Sequence, residues 1–304
     1  MTMQTKELVD LLKQESYWKS LLPTFSITPT VFNNGHNDFS YDETILNNAA
    51  NNLNEEGYFK LDSVLPDSLT SSLTQGIRTL TSSGILPVFS MVYDEYWHVL
   101  RGLKTILSKT LGEDWVVLPD IWGWNVEKGH NNSGWTAHRD LNDHYVDDNG
   151  HPGFLTLWIT LTDATPLNSC IYILPTHLDP FYPDHLREFP SKPENFANVS
   201  FENIRALPAK QGSVLCWDVN AVHWGSRSTK HAEDARISIA FYLKRGSKIS
   251  DTTINFDNDF LFEERLKLIA ENLFRYKKRN KYTPLLIEFA KSFADYDKEW
   301  DWEP

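Results

Sequence analysis

The sequence Arg236-Ile-Ser-Ile-Ala-Phe-Tyr-Leu243 alternates between two kinds of side chain. Every second position is large and apolar, whereas Arg236, Ser238 and Ala240 share the opposite side. An alternation with period two predicts a β-strand that packs one face against a core and leaves the other to line a site. If Arg236 is buried there, it needs a negatively charged partner, because an unpaired guanidinium away from water is costly.

A second run, Gly212-Ser-Val-Leu-Cys-Trp-Asp-Val-Asn-Ala-Val-His223, alternates more loosely and precedes a Gly-Ser turn at residues 225 and 226. It predicts a strand that ends at His223. The same part of the chain therefore supplies two strands of a β core, one of them delivering a histidine.

Upstream, His138-Arg139-Asp140 spaces an imidazole and a carboxylate two positions apart. On an extended segment, this spacing turns both side chains to the same face. Two imidazoles and one carboxylate hold non-haem Fe(II) in a facial triad and leave other positions open. His138, Asp140 and His223 are therefore the candidate metal ligands, with 85 positions (223 − 138) between the two histidines.

The residues alone leave other interpretations open. A His-x-Asp string occurs by chance in many chains, and Asp140 precedes a polar stretch in which it can be a turn residue. Arg236 can be an ordinary surface residue in an ion pair.

A series of motifs over residues 124–243 resembles the phytanoyl-CoA dioxygenase family of Fe(II)- and 2-oxoglutarate-dependent oxygenases. The matching stretches are residues 135–140, 157–177 and 212–226, with a weaker match over residues 53–61. Thr176 and Ser169 depart from glycine or serine positions of the family pattern. The 13 positions (236 − 223) from His223 to Arg236 are also slightly more than the family spacing.

The resemblance implies a mainly β fold with flanking helices (α+β) around a double-stranded β-helix core, the cupin-like jelly roll. We expect residues 1–304 to form a single catalytic domain. Its parts would be a helical region over about 1–115, the β-helix core over about 116–245 and C-terminal helices over about 256–296.

The resemblance also implies the site. His138, Asp140 and His223 would bind Fe(II), with 2-oxoglutarate and dioxygen as cosubstrates. Arg236 would bind the far carboxylate of 2-oxoglutarate through two parallel hydrogen bonds. Arg227 is a less favoured candidate for that role. Three further residues would contact the cosubstrate: Ser238, Ser226 and Trp158, although a tryptophan in a strand is more often part of a core.

The implied reaction removes hydrogen from a small organic substrate and hydroxylates it, releasing succinate and CO2. Desaturation or oxidative cyclisation, as in specialised metabolism, can start at the same site. The carboxylate of Asp140 argues against halogenation, because related halogenating enzymes carry a small residue there. A third interpretation is a catalytically silent β-barrel that binds a ligand.

The polar loop after the metal motif is the candidate substrate-binding segment, through Asn142, His144 and Tyr145. A loop beside a reactive centre can close over its substrate. An exposed surface loop is the alternative.

Composition narrows the class of protein. The 304 residues carry 29 basic and 41 acidic side chains, a net charge of −12 that argues against a nucleic-acid partner. The two cysteines, Cys170 and Cys216, lie in apolar strand-like segments, so they do not indicate a disulfide framework and favour a cytoplasmic location. No long apolar span and no secretion signal are recognisable, so we expect no membrane association. The oligomeric state is left open.

Helical periodicity predicts helices around this core. They are expected over residues 6–18, 66–81, 92–111 and 260–279, and from 284 to 293. Residues 179–200 contain four prolines and are expected to be an irregular excursion.

Overall fold

The structure is a computed structural model of the chain. It describes residues 3–31, 39–129, 135–140, 151–182, 199–246, 254, 259–277 and 280–293.

Two antiparallel sheets form the centre of the described fold. The large sheet has the strand order β1-β6-β3-β8-β2, and the small sheet has the order β5-β4-β7. The strands of the large sheet are β1 (Tyr58–Leu61), β2 (Val116–Val126), β3 (Phe154–Thr160), β6 (Val214–Asp218) and β8 (Arg236–Lys244). Those of the small sheet are β4 (Ile171–Ile173), β5 (Arg205–Leu207) and β7 (His223–Gly225).

Helices flank these sheets and pack on the outer face of the large one. They are α1 (Met3–Leu12), α2 (Glu15–Leu21), α3 (Glu43–Glu56), α4 (Asp67–Ser82), α5 (Asp94–Gly102), α6 (Lys104–Leu111), α7 (Phe262–Arg275) and α8 (Pro284–Lys291). Short 3₁₀ helices cover Pro87–Val92, Thr176–Leu178 and Phe201–Asn203. Of the predicted class, mainly β with flanking helices (α+β), the combination of antiparallel sheets with flanking helices is confirmed. Within the described residues, no helix is both long enough and apolar enough to cross a membrane.

Strand β8 shows why the fold forms a site. Its four apolar positions, 237, 239, 241 and 243, are fully buried in the main core beneath the helices. Its alternate residues face the small sheet, where Ala240 joins a second apolar cluster with Trp158 and Trp217. The period-two alternation thus separates the helix-packing face from a face that looks into the space between the sheets.

The prediction of one continuous helix over residues 92–111 was wrong. The chain forms the 3₁₀ helix up to Val92, then α5 and α6 separated at Leu103. Tertiary contacts impose the first break: Asp94 is buried and accepts hydrogen bonds from Thr28 and from Nη1 of Arg265. Gly102, a poor helix former, ends α5.

The predicted helix over 6–18 is likewise divided into α1 and α2. The indole Nε1 of buried Trp18 donates to the carbonyl of Leu12, the last residue of α1, at 2.8 Å. This bond satisfies a buried indole N–H, which the amphipathic pattern does not reveal.

The predicted strand over 212–223 was also wrong in its continuity. Strand β6 ends at Asp218, and His223 begins β7 in the other sheet. The turn between them is held by Asp218, whose Oδ1 accepts from the N–H of Asn220 at 3.0 Å and whose carbonyl accepts from the N–H of Ala221 at 2.8 Å. The histidine is therefore delivered by a strand that crosses from one sheet to the other.

Candidate active site

The structure brings His138, Asp140 and His223 together. Backbone bonds align the 138–140 segment with β7: His138 N to His223 O is 3.1 Å and His223 N to His138 O is 3.0 Å. The N–H of Asp140 donates to the carbonyl of Val219 at 2.8 Å. As a result, one nitrogen from each imidazole and one oxygen of Asp140 lie within 4.8 Å of one another.

Hydrogen bonds orient the two imidazoles. Nδ1 of His138 lies 2.7 Å from the carbonyl of Thr136, and Nδ1 of His223 lies 3.0 Å from the carbonyl of Ala221. A carbonyl only accepts, so each Nδ1 carries a proton, and Nε2 is the nitrogen that faces Asp140. The two Nε2 atoms lie 3.3 and 3.6 Å from Oδ1 of Asp140.

The carboxylate of Asp140 is oriented from its other oxygen. Oδ2 accepts a hydrogen bond from Oγ1 of Thr156 at 2.6 Å and from Nε1 of Trp217 at 3.0 Å. Oδ1 is thereby left facing the two imidazoles. Partners of this kind fix the direction of a ligand atom before an ion arrives.

Burial sets the protonation states. It lowers the pKa of His223 to about 4, although Asp140 acts in the opposite direction. Burial alone would raise the pKa of Asp140, but His223, His138 and Thr156 together hold it below its usual value. Near neutral pH, His223 is therefore neutral and Asp140 ionised, as metal ligation requires.

Arg236 is 2% exposed and points into the same space. Its Nε donates to the carbonyl of Ser169 at 3.1 Å, its Nη2 to Oγ of Ser169 at 3.2 Å and its Nη1 to Oγ of Ser238 at 2.6 Å. The rings of Trp124 and Trp158 flank the guanidinium, at 5.9 and 5.5 Å from its central carbon. Burial lowers the pKa of Arg236 to about 10, which leaves it charged. No carboxylate of the described residues forms an ion pair with it.

Of the other predicted cosubstrate contacts, Trp158 and Ser238 lie at the site and Ser226 does not. Trp158 lines the cavity, and Ser238 contacts Arg236. The hydroxyl of Ser226 instead donates to the carbonyl of Pro166 at 3.1 Å, and Ser226 is not among the residues that line the cavity. Arg227 is exposed. The three predicted substrate contacts, Asn142, His144 and Tyr145, lie outside the described residues.

One cavity between the sheets joins the triad to Arg236. Six of the eleven tryptophans line it: Trp122, Trp124, Trp135, Trp158, Trp217 and Trp224. Sequence reasoning missed four polar residues in its wall: Asp120, Thr156, Tyr242 and Tyr276. Positions 120, 122 and 124 alternate along β2, and this period of two could have predicted that they share one face. Tyr276 follows the remote helix α7, and no sequence pattern predicts its place at the cavity.

Asp120 and the end of α7 form a buried polar group at the cavity. Nη1 of Arg275 lies 2.7 Å from Oδ2 of Asp120, and the hydroxyl of Tyr276 donates to Oδ1 at 2.8 Å. Burial raises the pKa of Asp120 against the opposing effects of Arg275 and Tyr276. Burial also raises the pKa of Tyr276 far above its usual value, so this phenol stays protonated.

A second buried network lies behind the triad. Arg139, between the two ligands of the His-x-Asp segment, donates from Nη1 to the carbonyl of Asn220 and from Nη2 to Oδ2 of Asp179 at 2.6 Å. The hydroxyl of Tyr182 donates to Oδ2 of Asp218. The start of the predicted excursion is thus tied to the turn that delivers His223.

Comparisons with known proteins agree with this geometry. The family model of phytanoyl-CoA dioxygenase (PhyH) matches residues 98–232. No curated protein matches the sequence.

Several solved structures share the fold. The apo form of the non-heme monooxygenase ThoJ is 13% identical with a TM-score of 0.52, over 80% of this chain and 99% of ThoJ. The non-heme alpha ketoglutarate dependent epimerase SnoN from nogalamycin biosynthesis is 15% identical with a TM-score of 0.51, over 72% and 95%. EctD from S. alaskensis with bound Fe is 16% identical with a TM-score of 0.51, over 73% and 83%. At these identities the likeness shows the fold alone.

The family match spans both the His-x-Asp segment and His223, and the structure joins these segments into one site. Residues 98–232 are therefore similar to the phytanoyl-CoA dioxygenase family, and the protein is an enzyme of the Fe(II)- and 2-oxoglutarate-dependent oxygenase class.

Proposed function

We propose that this protein hydroxylates a small organic substrate, with conversion of 2-oxoglutarate and dioxygen to succinate and CO2. The convergence of His138 Nε2, His223 Nε2 and Asp140 Oδ1 is the observation that carries the proposal. Near the triad, buried Arg236 faces the same cavity without a carboxylate partner among the described residues.

The donor set fits Fe(II). It consists of two imidazole nitrogens and one carboxylate oxygen, which is the facial triad of non-haem Fe(II) oxygenases. A structural zinc site would need a fourth protein ligand. No fourth histidine, cysteine or acidic residue joins the group in the part of the chain that the structure describes.

Arg236 is placed to hold 2-oxoglutarate. Its guanidinium would bind the far carboxylate of the cosubstrate, while Ser169 and Ser238 fix its orientation. Trp124 and Trp158 exclude water from this end, which strengthens the ion pair. When bound, iron with 2-oxoglutarate and dioxygen supplies the oxidant that removes a hydrogen atom from a C–H bond.

Other outcomes of the same chemistry remain alternatives. Desaturation or oxidative cyclisation begins with the same hydrogen removal, and SnoN is described as an epimerase. Asp140 favours oxygenation over halogenation, because its carboxylate occupies the position that a halide would need.

We further propose that the two facing sheets form a double-stranded β-helix within one catalytic domain over residues 1–304. The apolar cluster between the sheets supports this architecture. The predicted parts, about 1–115, 116–245 and 256–296, follow the observed order of helices and strands, with β1 as an added strand in the first part. We also propose a cytoplasmic location, supported by the free, buried cysteines Cys170 and Cys216.

Succinate formation tests the proposal without knowledge of the substrate. Purified protein with Fe(II), ascorbate, 2-oxoglutarate and air is expected to form succinate by uncoupled turnover. His223→Ala should abolish it, and Arg227→Lys, a change at an exposed site outside the cavity, should not. No succinate above the level of His223→Ala would support a ligand-binding protein instead. Once a substrate is found, a gain of one oxygen atom identifies hydroxylation, and a loss of two hydrogens identifies desaturation or ring closure.

A further inference from the structure

Aromatic rings form most of the cavity wall away from Arg236. The ring of Tyr276 lies 5.0 Å from that of Trp122 and 5.7 Å from that of Trp135, measured between centroids. Trp135 in turn lies 6.1 Å from the imidazole of His138. These three rings therefore make an apolar wall beside the metal ligands, suited to the face of a ring.

The same wall carries polar atoms that can accept a hydrogen bond from a ligand. Asp120 is 1% exposed and lines the cavity together with Tyr276. Because the Tyr276 hydroxyl donates to Asp120 at 2.8 Å, its oxygen lone pairs remain as acceptors. Asp120 is itself an acceptor only. The pair can therefore take a hydrogen bond from a ligand, but it cannot readily give one.

The charges around the cavity restrict the ligand further. Arg275 forms an ion pair with Asp120 at 2.7 Å, which neutralises this end of the site. At the other end, the charges of Asp140 and Arg236 together with those of Fe(II) and doubly charged 2-oxoglutarate would also cancel. A charged substrate would therefore be buried with no counterion among the described residues, which is unfavourable.

We propose that Asp120 and Tyr276 form a substrate-recognition pair for an uncharged, ring-bearing molecule that donates a hydrogen bond from an O–H or N–H group. This inference rests on the proposed function and specifies the substrate class of that site. The ring lies against Trp122 and Trp135, and its donor group meets the hydroxyl of Tyr276. The residue that follows α7, Tyr276, is thus part of the active site.

Four probes with one common ring test the proposal. They are 2-naphthol, which is neutral and a donor; 2-methoxynaphthalene, which is neutral without a donor; 2-naphthoate, an anion; and 2-naphthylmethylammonium, a cation. Binding is measured by equilibrium dialysis at neutral pH against anaerobic protein loaded with Fe(II) and 2-oxoglutarate. The wild-type protein is expected to bind 2-naphthol about tenfold more tightly than each of the others.

Tyr276→Phe keeps the ring and removes the hydroxyl, so it should bring the affinity for 2-naphthol close to that for 2-methoxynaphthalene. Tyr172→Phe is the matched control, since Tyr172 stacks on Trp224 but does not line the cavity. It should keep the preference.

Three results would overturn the inference: no preference for 2-naphthol in the wild-type protein, tighter binding of a charged probe, or no binding of any probe. It also fails if Tyr276→Phe lowers the melting temperature but keeps the preference, because Tyr276 would then only attach α7 to the sheet. The absorption band of the iron–cosubstrate complex is recorded on the same samples without probe. It tests the proposed function separately.

Discussion

Arg139 and Asp179 form a buried ion pair, with Nη2 of Arg139 at 2.6 Å from Oδ2 of Asp179 and both side chains at most 4% exposed. Arg139 lies between the two ligands of the His-x-Asp segment, and it also donates to the carbonyl of Asn220. Arg139 therefore connects that segment both to Asp179 and to the turn before His223. Its position indicates that it keeps the two halves of the triad in register.

Loss of one partner of this pair should be costly. We expect Asp179→Asn to lower the free energy of unfolding by about 3 kcal/mol, because it leaves a buried guanidinium without its counterion. Asp62→Asn, which breaks the exposed pair with Lys60, should cost less than about 0.5 kcal/mol. Urea denaturation of the metal-free proteins measures both. Equal effects of the two substitutions would show that burial of the Arg139–Asp179 pair is unimportant.

Stability of the metal-free protein should fall in mild acid because of His223. Its pKa is about 4 in the folded state, below the ordinary 6.5. As pH falls below 6.5, the unfolded chain therefore takes up a proton that the folded chain does not. Between pH 6.5 and 4 this difference removes roughly 3 kcal/mol of stability.

Denaturant titrations at pH 7.0, 6.0 and 5.0 on wild type and His223→Gln isolate this effect, since all other groups are common to both. The variant should lose less stability over this range. Parallel pH dependence of the two proteins would contradict the neutral, buried state of His223.

The affinity for 2-oxoglutarate should depend on the shape of the cation at position 236. Arg236→Lys keeps the charge but loses the planar pair of donors, so we expect the KM for 2-oxoglutarate to rise about tenfold or more. Arg227→Lys is the control for the less favoured arginine and should leave KM unchanged. If the KM for 2-oxoglutarate rose only in Arg227→Lys, Arg227 would be the residue that binds the carboxylate.

Much of this site was predictable, because its residues follow local rules. The alternation of 236–243 assigns Ile237 to the core and Arg236 to the cavity, and the structure places both there. The i, i+2 spacing brings His138 and Asp140 to one side. In each case the relevant geometry is set within a few residues of chain.

The features that could not be predicted from the sequence depend on contacts between distant segments of the chain. Tyr276 reaches the cavity only because α7 packs against β2, where Ile121 N donates to the Asn272 side chain at 3.2 Å. The switch from β6 to β7 depends on a turn held by Asp218, inside a run that reads as one strand. The break before α5 likewise depends on Arg265, 171 positions from Asp94. No local pattern encodes such partners.

A glycine at the end of α3 is predicted to be required for packing. Gly57 has φ of 79°, and a Cβ there would overlap Cγ2 of Thr176. Gly57→Ala should cost about 3 kcal/mol, from backbone strain and overpacking together. Gly84 has φ of 75° with no atom near its added Cβ, so Gly84→Ala should cost only about 1 kcal/mol. Thermal or urea unfolding of both variants checks the difference, and equal losses would exclude the clash with Thr176.

Anaerobic addition of Fe(II) and 2-oxoglutarate tests the central claim most directly. If His138, Asp140 and His223 bind iron and Arg236 binds the cosubstrate, the wild-type protein should develop a weak visible charge-transfer band that saturates at one iron per chain. His223→Ala should give no band, and Arg227→Lys should give the wild-type band. A wild-type protein that shows no band, or a band that persists unchanged in His223→Ala, would contradict the assignment of this site.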